Sequence, residues 1–279
     1  TSYKTCPAST SLPSLNARLF TGSFSSGDLG LYSFSPSALV SLSHHFNDSF
    51  MGYASLSHGE KSGGVNLAVG AAQSAGADTL LIGTERINNA ELGVKTTLLD
   101  QRLLLNTNLF WSEVSGYQAT AYDPTAFTSY LTTTGKVRSR GLEVDASLRL
   151  NRHLTLNGNA SYNDVRYTDY KNAPCAPEVS LATGATSCDL TGASLPGASK
   201  WIFNLNGRYE WDQAAGLQPY ATASYAFRYR TSGTLDNSDY GVIPSYAVVN
   251  LSAGVRGDFN DGTWDVSVWL KNAFDKTYY

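Results

Sequence analysis

The chain of 279 residues has a formal net charge of -3, with 15% charged and 42% hydrophobic residues. That balance excludes a general nucleic-acid binder, which carries a clear basic excess, and the length allows one large domain or two ordinary ones. No stretch approaches the roughly 20 apolar residues of a spanning helix, and no basic-then-apolar leader opens the chain. Tyrosine (17 copies) and glycine (25) are abundant and methionine occurs once, a palette of strands and turns rather than of helices.

In chain order, residues 1–36 show no period and are expected to be a loop region with at most part of a strand. About ten strands are predicted after them, near 37–45, 49–58, 87–98, 102–116, 135–150, 154–167, 200–211, 217–230, 245–257 and 263–272. Their signal is period-2 alternation, which gives each strand one apolar and one polar face. Leu142, Val144, Ala146, Leu148 and Leu150 alternate with Glu143, Asp145, Ser147 and Arg149. The same phase holds in 154–163, 245–256 and 264–271. Aromatic residues cluster at the strand ends: Trp201, Tyr209 and Trp211 bracket one apolar face, and Tyr225, Phe227 and Tyr229 end another.

Several predicted strands exceed the five or six residues usual in soluble sheets and fit the roughly 9–11 that a tilted membrane strand needs. The connections alternate between short and long. Turns fall at Asn47-Asp48, Asp100-Gln101, Asn151-Arg152, Asp212–Gly216 and Phe259–Gly262, and long loops at 59–86, 117–134, 168–199 and 231–244. Outer-membrane barrels have this asymmetry, with short periplasmic and long extracellular connections. The expected fold class is therefore all-β, an antiparallel transmembrane β-barrel. On this reading both ends of the strand set lie on the extracellular side, so at least one further strand is expected on each flank, because an open edge leaves backbone groups unpaired in lipid.

Cys175 and Cys188 share the loop from Ala173 to Ala198, rich in Pro, Gly, Ser and Thr. Either they form a local disulfide in an oxidising compartment or they are two unrelated thiols. Cys6 is left without a partner. No histidine falls near the pair, so no zinc site is expected. His44, His45 and His153 sit at short turns, and His58 lies near the opposite rim. Adjacent His44 and His45 point to opposite faces of a strand, which argues against a metal site. No Gly-x-Ser-x-Gly elbow occurs; neither enzyme activity nor a cofactor is expected.

Four segments then carry a family resemblance. Met51-Gly52-Tyr53-Ala54-Ser55-Leu56-Ser57-His58-Gly59-Glu60-Lys61-Ser62-Gly63-Gly64-Val65-Asn66 resembles the "YASYSRGFKSGGFN" segment of TonB-dependent receptors, with His58 and Glu60 in place of the more usual Arg and Phe. Asn89-Ala90-Glu91-Leu92-Gly93-Val94-Lys95 and the following Arg102–Phe110 resemble the family's "YELGxK" and "RLxLNxxLF" strands. Gly135–Glu143 is similar to its "G..xSxGxE" strand, and Leu270–Tyr278 to "xKNLFDKxY", with Ala273 for Leu. The four occur in family order over residues 34–279.

The resemblance implies a barrel of 22 strands filled by a plug, of which residues 37–279 are the C-terminal barrel portion and 1–36 an extracellular loop region. It implies a multi-pass location in the Gram-negative outer membrane and contact with outer-membrane lipid. A TonB-type energy-coupling complex would act through the N-terminal part, and the small-molecule substrate would be a scarce nutrient such as a ferric siderophore. Inward-facing Glu143, Asp145, Arg149, Asn204, Asn206, Arg208, Asn250 and Arg256 would line the lumen against the plug. Tyr117, Tyr122, Tyr130, Tyr167, Tyr170, Arg228, Arg230 and Tyr240 lie in or beside long loops, where rings and guanidinium groups suit bulky anionic chelates. A passive porin and a soluble β-rich binding or adhesion module remain the alternatives.

Overall fold

In the computed structural model, the described residues are 31–65, 80–123, 128–133, 135–185, 187–259 and 261–278, with backbone alone at 120–123 and 128–130. Cys6 and most of the 1–36 segment lie outside them. The chain divides into two compact units, one of residues 36–59, 87–115 and 135–279, the other of residues 1–35, 60–86 and 116–134.

The larger unit is built on one sheet of ten strands. These are β1 (Ala38–Asn47), β2 (Phe50–Lys61), β5 (Glu85–Leu98), β6 (Leu103–Ser115), β9 (Lys136–Arg149), β10 (Leu154–Asp169), β13 (Trp201–Glu210), β14 (Leu217–Arg228), β17 (Tyr246–Phe259) and β18 (Gly262–Leu270). Each lies beside the next in this order, a meander without crossovers. The predicted bounds differ from these by three residues or fewer, because alternation ends where the strand does. At the short turns the chain reverses with local devices. Asn151 accepts from the backbone N–H groups of His153 and Leu154 at 2.8 and 2.9 Å, a side-chain turn that asparagine favours. Leu99, Asp100 and Gln101 all take positive φ.

Register converts the alternation of single strands into two continuous faces. Leu109, Leu142, Tyr162 and Trp201 align across β6, β9, β10 and β13. Gly207, Ala223, Leu251 and Leu270 align from β13 to β18. This apolar face is open: Leu42 is 75% exposed, Leu56 65% and Val268 73%. A contiguous exposed apolar surface of that extent marks a docking or membrane surface. Rings border it at both ends. At the loop end Tyr162, Trp201, Phe203 and Phe227 follow one another at centroid distances of 4.7, 5.5 and 5.7 Å. At the turn end Tyr209 contacts His153 and Trp211. On β13, Trp201 and Tyr209 stand about 26 Å apart along the strand at about 3.3 Å per residue.

The other face is polar, and two of its glycines carry tyrosine rings. A Cβ on Gly93 would fall 2.4 Å from the Tyr53 ring, and one on Gly254 would fall 2.6 Å from the Tyr220 ring. In each case the tyrosine lies flat across the neighbouring backbone and its hydroxyl reaches a carboxylate, Glu91 for Tyr53 and Asp265 for Tyr220.

The smaller unit contributes β3 (Gly64–Val65) paired with β4 (Leu81–Ile82), and β7 (Gln118–Asp123) paired with β8 (Thr128–Thr133). Leu80, Ile82 and Ala119 are its buried apolar residues. The Gln118 amide donates to the carbonyls of Ser62 and Gly83 at 3.2 and 2.8 Å, and Arg86 pairs with Glu60 at 2.9 Å. These hairpins lie inside segments read from sequence as plain loops, because two to six residues are too few to show a period.

Gly93→Val is expected to dislodge the Tyr53 ring and destabilise the protein by about 1–3 kcal/mol, the usual range for overpacking. Thermal loss of β-sheet circular dichroism in detergent reads this, with Gly64→Ala as control, since a Cβ at Gly64 meets nothing within 4 Å. Equal transitions for Gly93→Val and wild type would refute the role given to that contact.

Candidate functional site

On the polar face, every residue expected to line a lumen lies in register with other polar groups. Asp145 sits between Asn106 and Asn159. Asn108 donates to Glu143 at 3.2 Å and Asn204 to Asn159 at 2.8 Å. Asn206 aligns with Ser224, which accepts from Asn250 at 3.1 Å. Arg149 and Arg208 flank Thr155. Towards the turn end, Glu210 accepts from Arg208 at 2.8 Å and Arg256 at 3.0 Å, and the Arg208 guanidinium stacks 3.9 Å from the Tyr220 centroid. The face is thus a lattice of paired amides, hydroxyls and ions, suited to contact a wet or polar partner.

At the loop end, the segments 168–199 and 231–244 are fastened to each other. The first contains β11 (Ala173–Pro174), helix α1 (Pro177–Thr183) and β12 (Ser187–Cys188); the second contains β15 (Thr231–Ser232), a 3-10 turn at Asp239–Gly241 and β16 (Val242–Ile243). Proline at the start of α1 and Gly184 in the left-handed conformation at its end fix the helix limits. A disulfide joins Cys175 to Cys188, with Cα atoms 5.0 Å apart. Glu178 on α1 accepts from the Ser238 hydroxyl at 2.9 Å and the Asp239 N–H at 2.7 Å. Asn237 donates to the Ser194 carbonyl at 3.1 Å, and the Gly197 N–H to the Ser232 carbonyl at 2.8 Å. Between the two segments is a cavity of about 280 Å³ bordered by Lys200, Arg230, Ser232, Asn237 and Asp239.

The structure sorts the rim residues named from sequence. Tyr167 is fully buried and Tyr170 nearly so, their rings 4.8 Å apart. Both pack the base of the first loop, a correction to their expected exposure at a substrate surface. The return segment 190–195 pairs beside the end of β10, with the Tyr167 N–H bonded to the Ala193 carbonyl and the Gly192 N–H to the Tyr167 carbonyl. Arg228 is directed to Ser199 at 3.1 Å and the Gly197 carbonyl, so it supports loop structure. Arg230 and Tyr240 are exposed, Tyr240 to 89%. Tyr117 is half-buried; burial first, and the Glu85 carboxylate second, raise its hydroxyl pKa above the ordinary tyrosine value. The side chains of Tyr122 and Tyr130 lie outside the described residues.

The sequence does not single out Glu178, Ser238, Asn237 or Ser194, and no spacing rule links partners 43 to 61 residues apart. Glu91, Glu210 and Asp265 were legible in principle, since each occupies a polar-phase position of a strand. Among the described residues, no group of three or more His, Cys, Asp or Glu could hold a metal ion. Nor is any helix among them long and apolar enough to cross a membrane, which says nothing of strands.

A profile of the family described as "TonB dependent receptor-like, beta-barrel" matches residues 10–273. Among solved structures, the ferric preacinetobactin receptor BauA of Acinetobacter baumannii superposes with a TM-score of 0.63 at 17% identity, covering 88% of this chain and 32% of that one. The ferric yersiniabactin uptake receptor FyuA of Yersinia pestis gives 0.60 at 16%, covering 86% and 32%. The copper transporter OprC gives 0.60 at 17%, covering 88% and 34%. At such identities the likeness shows the fold alone, and the chain spans about a third of the length of each.

The loop fastening carries a pH prediction. The backbone N–H of Glu178 itself, then that of Asp239, then the Ser238 hydroxyl hold the Glu178 carboxyl below the ordinary glutamate value. A depressed folded-state pKa stabilises the fastening above the unfolded value and ceases to do so as pH falls through the folded one. Protease cleavage within 231–244 is therefore expected to accelerate as pH drops below the ordinary glutamate range, and Glu178→Gln should show that acceleration already at neutral pH. Identical cleavage of wild type and variant across the range would remove Glu178 from the fastening.

Proposed function

Since the chain belongs to the TonB-dependent receptor family of β-barrels, we propose that it is the C-terminal barrel portion of an outer-membrane receptor that binds and imports a scarce nutrient. The observation that carries this reading is the two-faced sheet with connections alternating short and long. An apolar face edged by rings suits hydrocarbon between two headgroup layers. The polar face, with Glu143, Asp145, Arg149, Asn204, Asn206, Arg208, Asn250 and Arg256, faces the lumen and a plug. The loop end is extracellular, and residues 1–36 belong with it.

The cargo we favour is a ferric siderophore. Arg230 and Tyr240, exposed on the fastened loops, offer a guanidinium and a ring to an anionic chelate, and Lys200 adds a second cation inside the cavity. Of the similar structures, FyuA is a ferric yersiniabactin uptake receptor, BauA a ferric preacinetobactin receptor and OprC a copper transporter. Transport is energised by a TonB-type partner acting through a segment outside this barrel portion.

Deletion of the gene is expected to abolish iron-limited growth on one ferric chelate from a panel, with plasmid-borne gene restoring it and copper uptake as a parallel arm. Undiminished uptake of every chelate and of copper would overturn the reading. Arg230→Ala in the full-length receptor should raise the chelate Kd by about tenfold, as expected for one charge-assisted hydrogen bond. The membrane assignment has a separate check on β13. Leu205→Arg, at the middle of the apolar face, should destabilise the detergent- or lipid-embedded barrel by about 2–4 kcal/mol, whereas Asn206→Arg on the polar face should not. Equal effects at the two positions would contradict the assignment of faces.

A further inference from the structure

The strand phase that makes the apolar face continues past its aromatic border, and there it changes chemistry. Leu109, Leu142, Tyr162 and Trp201 form one row across β6, β9, β10 and β13. One step nearer the loop end, the aligned residues are Trp111, Arg140 and Asp164; one step further, Glu113, Arg138 and Arg166. Three guanidinium groups thus stand on the same face as the lipid-phase leucines, directly above the rings. A soluble rim has no need to keep cations in this phase.

Their partners differ. Asp164, almost fully buried, pairs with Arg166 at 2.7 Å and Arg140 at 3.5 Å. Arg166 also donates to the Gly192 carbonyl at 3.1 Å, so one carboxylate positions two cations. Arg138 lies over the Trp111 ring, its Cζ 5.2 Å from the centroid, and Arg140 lies over the same ring at 5.7 Å. Arg138 has no ion pair among the described residues, and its buried Nε has no hydrogen-bond partner. Glu113, its register neighbour, makes no ion pair with it. An arginine held by a ring and without an ion pair keeps its terminal N–H groups for phosphate oxygens.

Below this cluster the apolar face is indented by a groove of about 850 Å³ bordered by Val40, Leu42, Leu56, Leu92, Leu109 and Leu142, with Trp111 and Arg140 at its upper rim. Cations over a ring, continuous with an apolar groove, match an amphiphile with an anionic head and hydrocarbon tails. The height matches as well, since the aromatic border marks where hydrocarbon meets headgroups.

We infer that Arg138, Arg140 and Trp111, supported by Asp164 and Arg166, bind the phosphate head of an outer-leaflet lipid whose acyl chains lie in the groove below. This rests on the membrane reading above and is distinct from the import site, which lies on the polar face and the loops. The lipid class is a phosphorylated, multiply acylated glycolipid of the lipid A type, the phosphate-bearing lipid of that leaflet. Bound there, it would tie β6, β9 and β10 together from outside and steady the loop end.

The test uses the full-length receptor in phosphatidylcholine nanodiscs doped with bisphosphorylated lipid A or with the same lipid after phosphate removal. Native mass spectrometry counts lipid retained per receptor. Wild type is expected to retain the phosphorylated form, with an apparent affinity about tenfold above the dephosphorylated form. Arg138→Gln combined with Arg140→Gln should remove that preference, Arg138→Lys with Arg140→Lys should restore part of it, and Arg152→Gln at the turn end should leave it intact. Equal retention of the two lipids by wild type, or wild-type preference in the double Gln variant, would overturn the inference. Displacement by millimolar inorganic phosphate as complete as by lipid A would also overturn it, because the groove would then add nothing. Heat-modifiable gel mobility of each variant keeps the readings separate. Its absence in wild type would sink the membrane assignment, whereas its presence without lipid discrimination would sink this inference alone.

Discussion

One constraint governs the larger unit: ten neighbouring strands must keep their alternation in the same phase. A single-residue slip in any pair would turn that strand's apolar set to the polar side and its polar set to the apolar side. The ladder of backbone hydrogen bonds and the separation of the two faces are therefore one requirement. In hydrocarbon it is stricter still, because an unpaired N–H or C=O there costs several kcal/mol. The short turns serve this constraint. Asn151 and the left-handed run at Leu99–Gln101 let the chain reverse without adding residues that would shift the register.

The polar face shows how a sheet this long is pinned without a core of its own. Across it, amides, hydroxyls and ions pair from strand to strand, and tyrosine rings lie over Gly93 and Gly254, where a side chain would exclude them. Each ring spans two strands and ends in a hydroxyl bonded to a carboxylate, so apolar contact and hydrogen bond reinforce the same register. The loop end follows a different logic. Around the buried Tyr167, Tyr170, Ala173 and Ala176, it adds a disulfide, the Glu178 acceptor and backbone bonds between two segments. The result is a shaped surface carrying Arg230 and Tyr240, in place of two independent loops.

The outward cluster around Trp111 belongs to both halves of this picture. Its register comes from the sheet and its charge from the loop end. The same strand phase that places Leu142 on the apolar face places Arg140 and Arg138 on that face at the level just above it. A buried Asp164 holding two arginines fixes their geometry at modest exposure, and the Trp111 ring does the same for Arg138.

The sequence by itself determined the strands, their faces, the alternation of turns and loops and the family, because these depend on period-2 patterning and on local motifs that survive in one dimension. Residues such as Glu143, Asn204 and Arg256 could be assigned to a face from phase alone. It also located the rim tyrosines in the chain, yet their burial was decided elsewhere. Tyr167 and Tyr170 are buried where segment 190–195 pairs with the end of β10, a hydrogen-bonding choice with no periodic signature. Likewise the fastening of Glu178 to Ser238 and Asp239, the short hairpins within the loops and the stacking of Arg138 on Trp111 arise from contacts between segments distant in the chain. Only the tertiary structure decides these, since the free energy of such a contact depends on which surfaces the rest of the fold brings together.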